Sequence, residues 1–189
     1  MILSQVTQFL NDIFVQGFAG VLLFRFLLQW LRAPMHNPVG EFVMAISDFA
    51  VLRARRFIPP VWRLDSSSLL LALCVEMIYL GLTLSIEGYP FVHFPLFGLL
   101  AWSVVKLIKI SVYLLMSALV AQAILSWVNP FTPLAPLLAA ITYRFLRPLQ
   151  RIVPLIGNVD LSPLLLLVFC QIILLVPLAM LESVAVRLL

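Results

Sequence analysis

The chain has 189 residues, 63% of them apolar and 11% charged, against about 45–50% apolar and about 25% charged in a soluble domain. Too little polar surface remains to cover a water-soluble globule, so the sequence predicts an integral membrane protein, as long as one domain or two small fused repeats. A net charge of +4 is not the dense basic patch of a nucleic-acid binder, and thirteen prolines exclude one uninterrupted helical bundle.

About 20 apolar residues cross a bilayer as a helix. Residues 13–31, 67–86, 110–128 and 163–186 qualify. No Lys or Arg precedes Arg25, so the first span lacks the basic start of a signal peptide and is expected to be retained. After it, Asn37 can cap a helix with Pro38 in its first turn. Within 39–56, Phe42, Val43, Ile46, Phe49 and Ala50 form one stripe, and Glu41, Asp48 and Arg55 form another. That pattern predicts an amphipathic helix lying in the membrane surface. Ser67 is expected to cap the second span, helped by Asp65 near the positive end of the helix dipole. Residues 90–105 are apolar too, with Pro90 and Pro95 at the start and Lys106 and Lys109 after the end. They read as an interfacial or half-inserted helix, with a fifth span as the alternative. Beyond the third span, Thr132 and Pro133 should begin a second surface helix. Its stripe is Leu137, Leu138, Ile141 and Phe145, with Arg144, Arg147 and Arg151 away from it. Ser162, beside Asp160, is expected to cap the last span. Cys74 and Cys170 stand in apolar runs without a CxxC pattern and read as small buried residues.

The chain repeats itself. Residues 38–67 and 133–162 are identical at seven of 30 positions: Pro38/Pro133, Ala45/Ala140, Ile46/Ile141, Arg56/Arg151, Pro59/Pro154, Asp65/Asp160 and Ser67/Ser162. Trp30 matches Trp127 at a shift two residues longer. The reading is two tandem repeats, residues 1–89 and 90–189, in an all-α membrane protein of four (alternatively five) spans and two interfacial helices. An even number of spans per repeat makes the copies parallel. The loops 32–66 and 129–161 hold eight arginines, against Lys106, Lys109 and Arg187 on the other side. The basic excess predicts cytoplasmic loops and both termini outside.

No enzyme constellation is visible. His36 and His93 fall on different predicted faces, and there is no nucleophile elbow, phosphate-cradling glycine loop or HExxH. No catalytic residue, cofactor or metal is expected. The intramembrane polar residues carry more information. Arg25 and Glu76 sit about 9 and about 13 Å from the loop ends of their spans, where isolated charges are expensive. Gln122 and Gln171 occupy the matching positions of the second repeat. Each pair is expected to staple two spans of its own repeat. The alternative is that all four line a polar path for an ion. Glu87 and Glu182 also match, and read as interfacial anchors.

The segments Ala123-Ile124-Leu125-Ser126-Trp127-Val128-Asn129-Pro130, Phe145-Leu146-Arg147-Pro148-Leu149-Gln150-Arg151-Ile152-Val153-Pro154 and Asp160-Leu161-Ser162-Pro163 resemble the YggT family of small bacterial membrane proteins, in its two-copy proteobacterial form. The resemblance covers nearly the whole chain. It implies a multi-pass protein of the bacterial inner membrane, linked to osmotic or extracytoplasmic stress. It further implies an adaptor or assembly factor, with an ion or small-solute transport component as the alternative. Its partners would be the lipid bilayer and other membrane proteins or a second copy, not nucleic acid. The family's motif falls on Arg55, Arg56, Pro59 and Asp65, and on Trp127, Asn129, Pro130, Arg147, Pro148, Arg151, Pro154, Asp160, Ser162 and Pro163. These positions are expected to form either a docking surface or a set of topology and lipid anchors. Phe49 and Arg53 stand where the family usually has two prolines, so the first surface helix is expected to be straighter and longer than the second.

Overall fold

A computed structural model of the chain describes residues 2–56, 65–90, 95–129, 131–152 and 160–189. They form six helices in two sets of three: α1 (Ile2–Trp30), α2 (Pro38–Ala54), α3 (Ser66–Ile86), α4 (Leu96–Val128), α5 (Ala135–Ile152) and α6 (Ser162–Val186). Four of them (α1, α3, α4 and α6) are long and apolar enough to cross a membrane. In each set a long first helix leads into a shorter surface helix and then a second span. The ends of the spans that flank α2 and α5 form the loop end of the bundle; the other is the terminal end.

Two spans are longer than hydropathy predicts. Residues 96–105 are the first turns of α4, not a separate interfacial helix, and no fifth span occurs among the described residues. Pro95 is the N-cap of α4, where its missing N–H removes no helical hydrogen bond. Lys106 and Lys109 do not end the helix because Glu182 of α6 faces both. Similarly, α1 begins at Ile2 rather than near residue 13. Its start is polar, and it passes through a wider π-helical turn at Asn11–Gln16, where α3 supplies partners to Asn11 and Asp12. The last span, α6, breaks at Val176, the residue before Pro177, where proline disfavours the helical conformation.

Local chemistry sets the helix starts. Asn37 caps α2, its Oδ1 accepting from Gly40 N–H at 2.9 Å, with Pro38 in the first turn. The chain folds back so tightly there that a Cβ on Gly40 would sit 2.2 Å from the Met35 carbonyl oxygen. Thr132 does not cap α5. Its hydroxyl is buried without a partner, and the helix starts at Ala135, whose N–H reaches the Thr132 carbonyl. Ser67 and Ser162 lie within first turns rather than at cap positions. Asp65 is the N-cap of α3, with its backbone carbonyl rather than its carboxylate accepting from Ser68, and before α6, whose N-cap is Leu161, the Asp160 carboxylate accepts from Ser162 N–H.

The surface helices bury different faces. On α5 the expected stripe holds, with Leu137 and Ile141 buried. On α2 the buried residues are Gly40, Val43, Ser47 and Val51, while Phe42 and Phe49 are exposed. The inward row is small because α2 lies close against α1 and α3. Phe49 instead reaches around to stack on Phe18 of α1 at 5.5 Å. Nor is α2 the longer helix: it has 17 residues against 18 for α5, which continues through Pro148.

The core joins the repeats. Leu22 and Leu23 of α1, Val51 of α2, Ala72 of α3 and Leu107 of α4 pack together. A larger cluster unites Leu28 with Leu115, Leu119, Leu137, Ile141, Leu166 and Cys170. The outward faces carry large apolar side chains such as Ile78, Leu164, Phe169 and Leu175, the surface that lipid tails require. Cys170 is buried as expected, but Cys74 is exposed on such a face, and both thiols are free.

Candidate functional site

At the loop end, Arg25 is 4% exposed. Its Nη1 donates to Ser47 Oγ and to Asp48 Oδ1, both at 2.7 Å, and its Nε lies 3.7 Å from Asp65 Oδ2. Asp65 is itself buried and takes a second ion pair, with Arg55 Nη2 at 2.6 Å. That hydrogen bond raises Arg55 above its ordinary value, outweighing the opposing effect of burial. The expected Arg25–Glu76 staple is therefore not formed. Arg25 bends toward the surface helix, where α2 offers a hydroxyl and a carboxylate close to water. A buried guanidinium is held more cheaply there than deeper in the bundle.

The second repeat builds a matching clamp in which amides take the places of both guanidinium groups. Thr142 Oγ1 donates to Gln122 Oε1 at 2.6 Å, and Gln150 Nε2 donates to Asp160 Oδ2 at 2.8 Å. Ser47 and Thr142 match at the repeat shift, as do Arg55 and Gln150, and Asp65 and Asp160. Hydrogen bonding from Ser162, whose N–H donates to Oδ1, holds the Asp160 carboxyl below its ordinary range. The expected Gln122–Gln171 pair is absent too: Gln122 is spent on Thr142, and Gln171 is exposed on the outer face of α6.

Nearer the terminal end a second polar set bridges α1 and α3. Tyr79 Oη donates to Asp12 Oδ1 at 2.9 Å. Asn11 Nδ2 donates to Thr83 Oγ1 at 3.1 Å and to the Tyr79 carbonyl at 3.2 Å. In the second repeat Glu182 receives Lys109, Lys106 at 3.6 Å and the indole N–H of Trp102 at 3.1 Å. Glu182 is thus the centre of a charge cluster, while Glu87 is exposed at the end of α3. Between the two polar sets lies Glu76. It is 0% exposed, and neither carboxyl oxygen has a hydrogen-bond partner.

The remaining motif residues scatter. Arg56, Arg147 and Arg151 are exposed, Arg147 beside the ring of Tyr143 at 5.7 Å. Trp127 closes the last turn of α4, and Asn129 Oδ1 accepts from Phe131 N–H at 3.1 Å. Pro148 lies inside α5, and Pro163 in the first turn of α6. Pro59, Pro130 and Pro154 lie outside the described residues. Sequence reading missed Asp48, Ser47 and Thr142 as partners, though the matched hydroxyls were there to be found. It also missed Arg144, whose guanidinium lies 4.8 Å from the ring of Trp30 and ties one repeat to the other.

A family model described as CCB3/YggT matches the chain twice, over residues 4–86 and 101–181. An uncharacterised protein of Pseudomonas aeruginosa is 32% identical over 146 residues, covering 76% of this chain and 74% of its own. The uncharacterised YggT of Escherichia coli K12 is 29% identical over 167 residues, 87% and 85% of the two chains. An uncharacterised protein from the proC 3′ region of Vibrio alginolyticus is 35% identical over 156 residues, 80% and 82% of the two. No solved structure matches.

Proposed function

The chain belongs to the CCB3/YggT family, and on that premise we propose that it is a non-catalytic adaptor or assembly factor of the bacterial inner membrane. In this reading its loop end faces the cytoplasm, and its work supports tolerance of osmotic or extracytoplasmic stress, as the family resemblance implies. The observation that carries the proposal is the clamp built twice, Arg25 to Ser47 and Gln122 to Thr142. Each locks a surface helix against its spans at the same place. A fixed helix can present outward residues in one geometry, which is what a docking surface needs. On α5 those residues are Tyr143, Arg147 and Arg151, all exposed. Lipid attraction alone, worth about 1 kcal/mol per basic residue near an anionic surface, would not require so regular a mount.

The test is site-specific photocrosslinking from position 143 in native membranes, followed by identification of the captured protein. A discrete protein adduct that disappears in Arg147→Ala with Arg151→Ala supports the adaptor. Adducts to lipid alone would sink it. A second reading, a transport component, draws on one observation, the buried unpaired Glu76. A conducting path would have to continue to the loop end, past the buried apolar cluster of Leu22, Leu23, Val51 and Ala72.

A further inference from the structure

We propose that Glu76 is a proton-binding site reached from the terminal end of the bundle. This stands apart from the adaptor reading and does not rest on it. Glu76 lies ten residues from Ser66 and ten from Ile86, at the middle of its span. Its side chain is fully buried, and both oxygens lack a donor. A carboxylate at that depth has lost its water and gained no hydrogen-bond donor in return, an arrangement that favours a bound proton. A carboxyl that served only to hold helices together would be hydrogen-bonded to one of them, as Asp65 and Glu182 are.

The surroundings point the same way. Of the elements packed against α3, α1 brings Asp12, which is hydrogen-bonded to Tyr79, and Arg25, which is spent on Ser47, Asp48 and Asp65. The charged residues of α2 and its C-cap are Glu41, Asp48, Arg53 and Arg55; Asp48 and Arg55 are engaged in the clamp, and Glu41 and Arg53 are exposed. From α4, Lys106 acts on Glu76 electrostatically but sits 3.6 Å from Glu182, which Lys109 also holds. On α3 itself Tyr79 is one turn away, on the same face.

A ladder of polar groups approaches Glu76 from the terminal side. From the exposed Asp12 it runs to Tyr79 Oη, with Asn11 and Thr83 alongside, and ends a helical turn from Glu76. On the loop side Leu22, Leu23, Val51 and Ala72 belong to one buried apolar cluster. That is the layout of a site that loads and unloads from one face, not of a pore. On loading, a hydronium ion at the terminal face gives up its proton, and one O–H bond forms at the Glu76 carboxylate. Unloading reverses both changes.

Dicyclohexylcarbodiimide, an apolar reagent that adds to protonated carboxyls out of water, tests this on the full-length chain in oriented proteoliposomes. One adduct is expected, placed on Glu76 by peptide mapping, and lost in Glu76→Gln. Its rate of formation should fall by about tenfold per pH unit on the alkaline limb, and should follow the pH of the terminal face alone. Mapping locates the adduct in the unaltered protein, so the result stands even if Glu76→Gln fails to fold. No adduct, an adduct on Asp12 or Glu182 instead, or a rate that tracks the loop-face pH would each overturn the proposal.

Discussion

Arg25 of α1 donates to Ser47 of α2 at 2.7 Å, and one repeat further on Gln122 and Thr142 hold the same two positions together at 2.6 Å. The geometry of the join is kept while its charge is discarded. Arg25→Gln should therefore be tolerated better than Arg25→Ala, because an amide can still meet the Ser47 hydroxyl. Arg25→Ala removes two charge-assisted hydrogen bonds, worth about 1.5–3 kcal/mol each when buried, though Asp48 is partly exposed and its share will be smaller. Thermal unfolding in detergent checks the order. Equal losses from the two changes would mean that the charge itself is what α2 requires.

The two aspartates at the starts of the second spans should respond very differently to removal. Asp65 has a side chain 1% exposed and neutralises Arg25 as well as Arg55. Asp65→Ala leaves a guanidinium buried with less compensation, a loss of about 3–5 kcal/mol in comparable pairs. Asp160 is exposed and bonds only to Gln150 and the Ser162 N–H among the contacts described. Asp160→Ala should then remove two hydrogen bonds to an exposed carboxylate at the start of α6, a loss of about 1 kcal/mol. Steady-state protein level and unfolding midpoint in detergent both read the difference.

How far the sequence foretold this arrangement depends on which force decided each part. The four spans follow from apolar length, and the repeat from its spaced identities; neither needs tertiary knowledge. The first turns of α1 were hidden because Gln8, Asn11 and Asp12 lower its hydropathy, and their partners Tyr79 and Thr83 lie some seventy residues away. Likewise Lys106 and Lys109 look like the end of a helix until Glu182 is placed beside them. Depth alone matched Arg25 with Glu76, but depth does not fix which way a side chain turns, and Arg25 turns toward the surface. The face of α2 was misread for a related reason. Its largest apolar side chains define the amphipathic stripe, whereas close helix packing selects its smallest.

Gly40 is required by the tight return into α2. Its φ lies in the ordinary range, so crowding rather than backbone freedom is the constraint: a Cβ would meet the Met35 carbonyl oxygen at 2.2 Å. Gly40→Ala should shift the Asn37 cap and destabilise the start of α2, by about 1–3 kcal/mol on the scale of overpacked sites. Limited proteolysis should then cut faster between Arg32 and Asn37. Ala135 occupies the matching position of α5, where the different entry leaves room for the methyl group.

Orientation is open to a direct check. With Cys74 and Cys170 replaced by alanine, Asn129→Cys marks the loop end and Glu87→Cys the terminal end, both positions being exposed. The excess of arginine in the loops predicts that an impermeant thiol reagent added to intact cells labels the second and spares the first. The opposite pattern would invert the protein and place its basic surface helices outside.

Arg144 and Trp30 should be energetically coupled, and the coupling should report on contact between the repeats. The guanidinium of α5 lies 4.8 Å from the indole ring at the end of α1, within the range of an attractive cation–π contact. Trp30 is 39% exposed, so the contact is partly wet, and about 0.5–1 kcal/mol is expected. Either single substitution, Arg144→Ala or Trp30→Leu, also shortens or reshapes a side chain with its own solvation and packing, so neither isolates the pair. A double-mutant cycle does, because the losses unrelated to the pair cancel. Four unfolding midpoints in one detergent suffice, and lysine at position 144 gives a further comparison. Lysine keeps the charge but lacks the flat face that stacks on an indole, so it should recover only part of the coupling. A cycle that closes to zero would mean that the two side chains merely lie near one another, and that the repeats are joined by their apolar core and the Tyr89–Leu189 hydrogen bond without help from this pair.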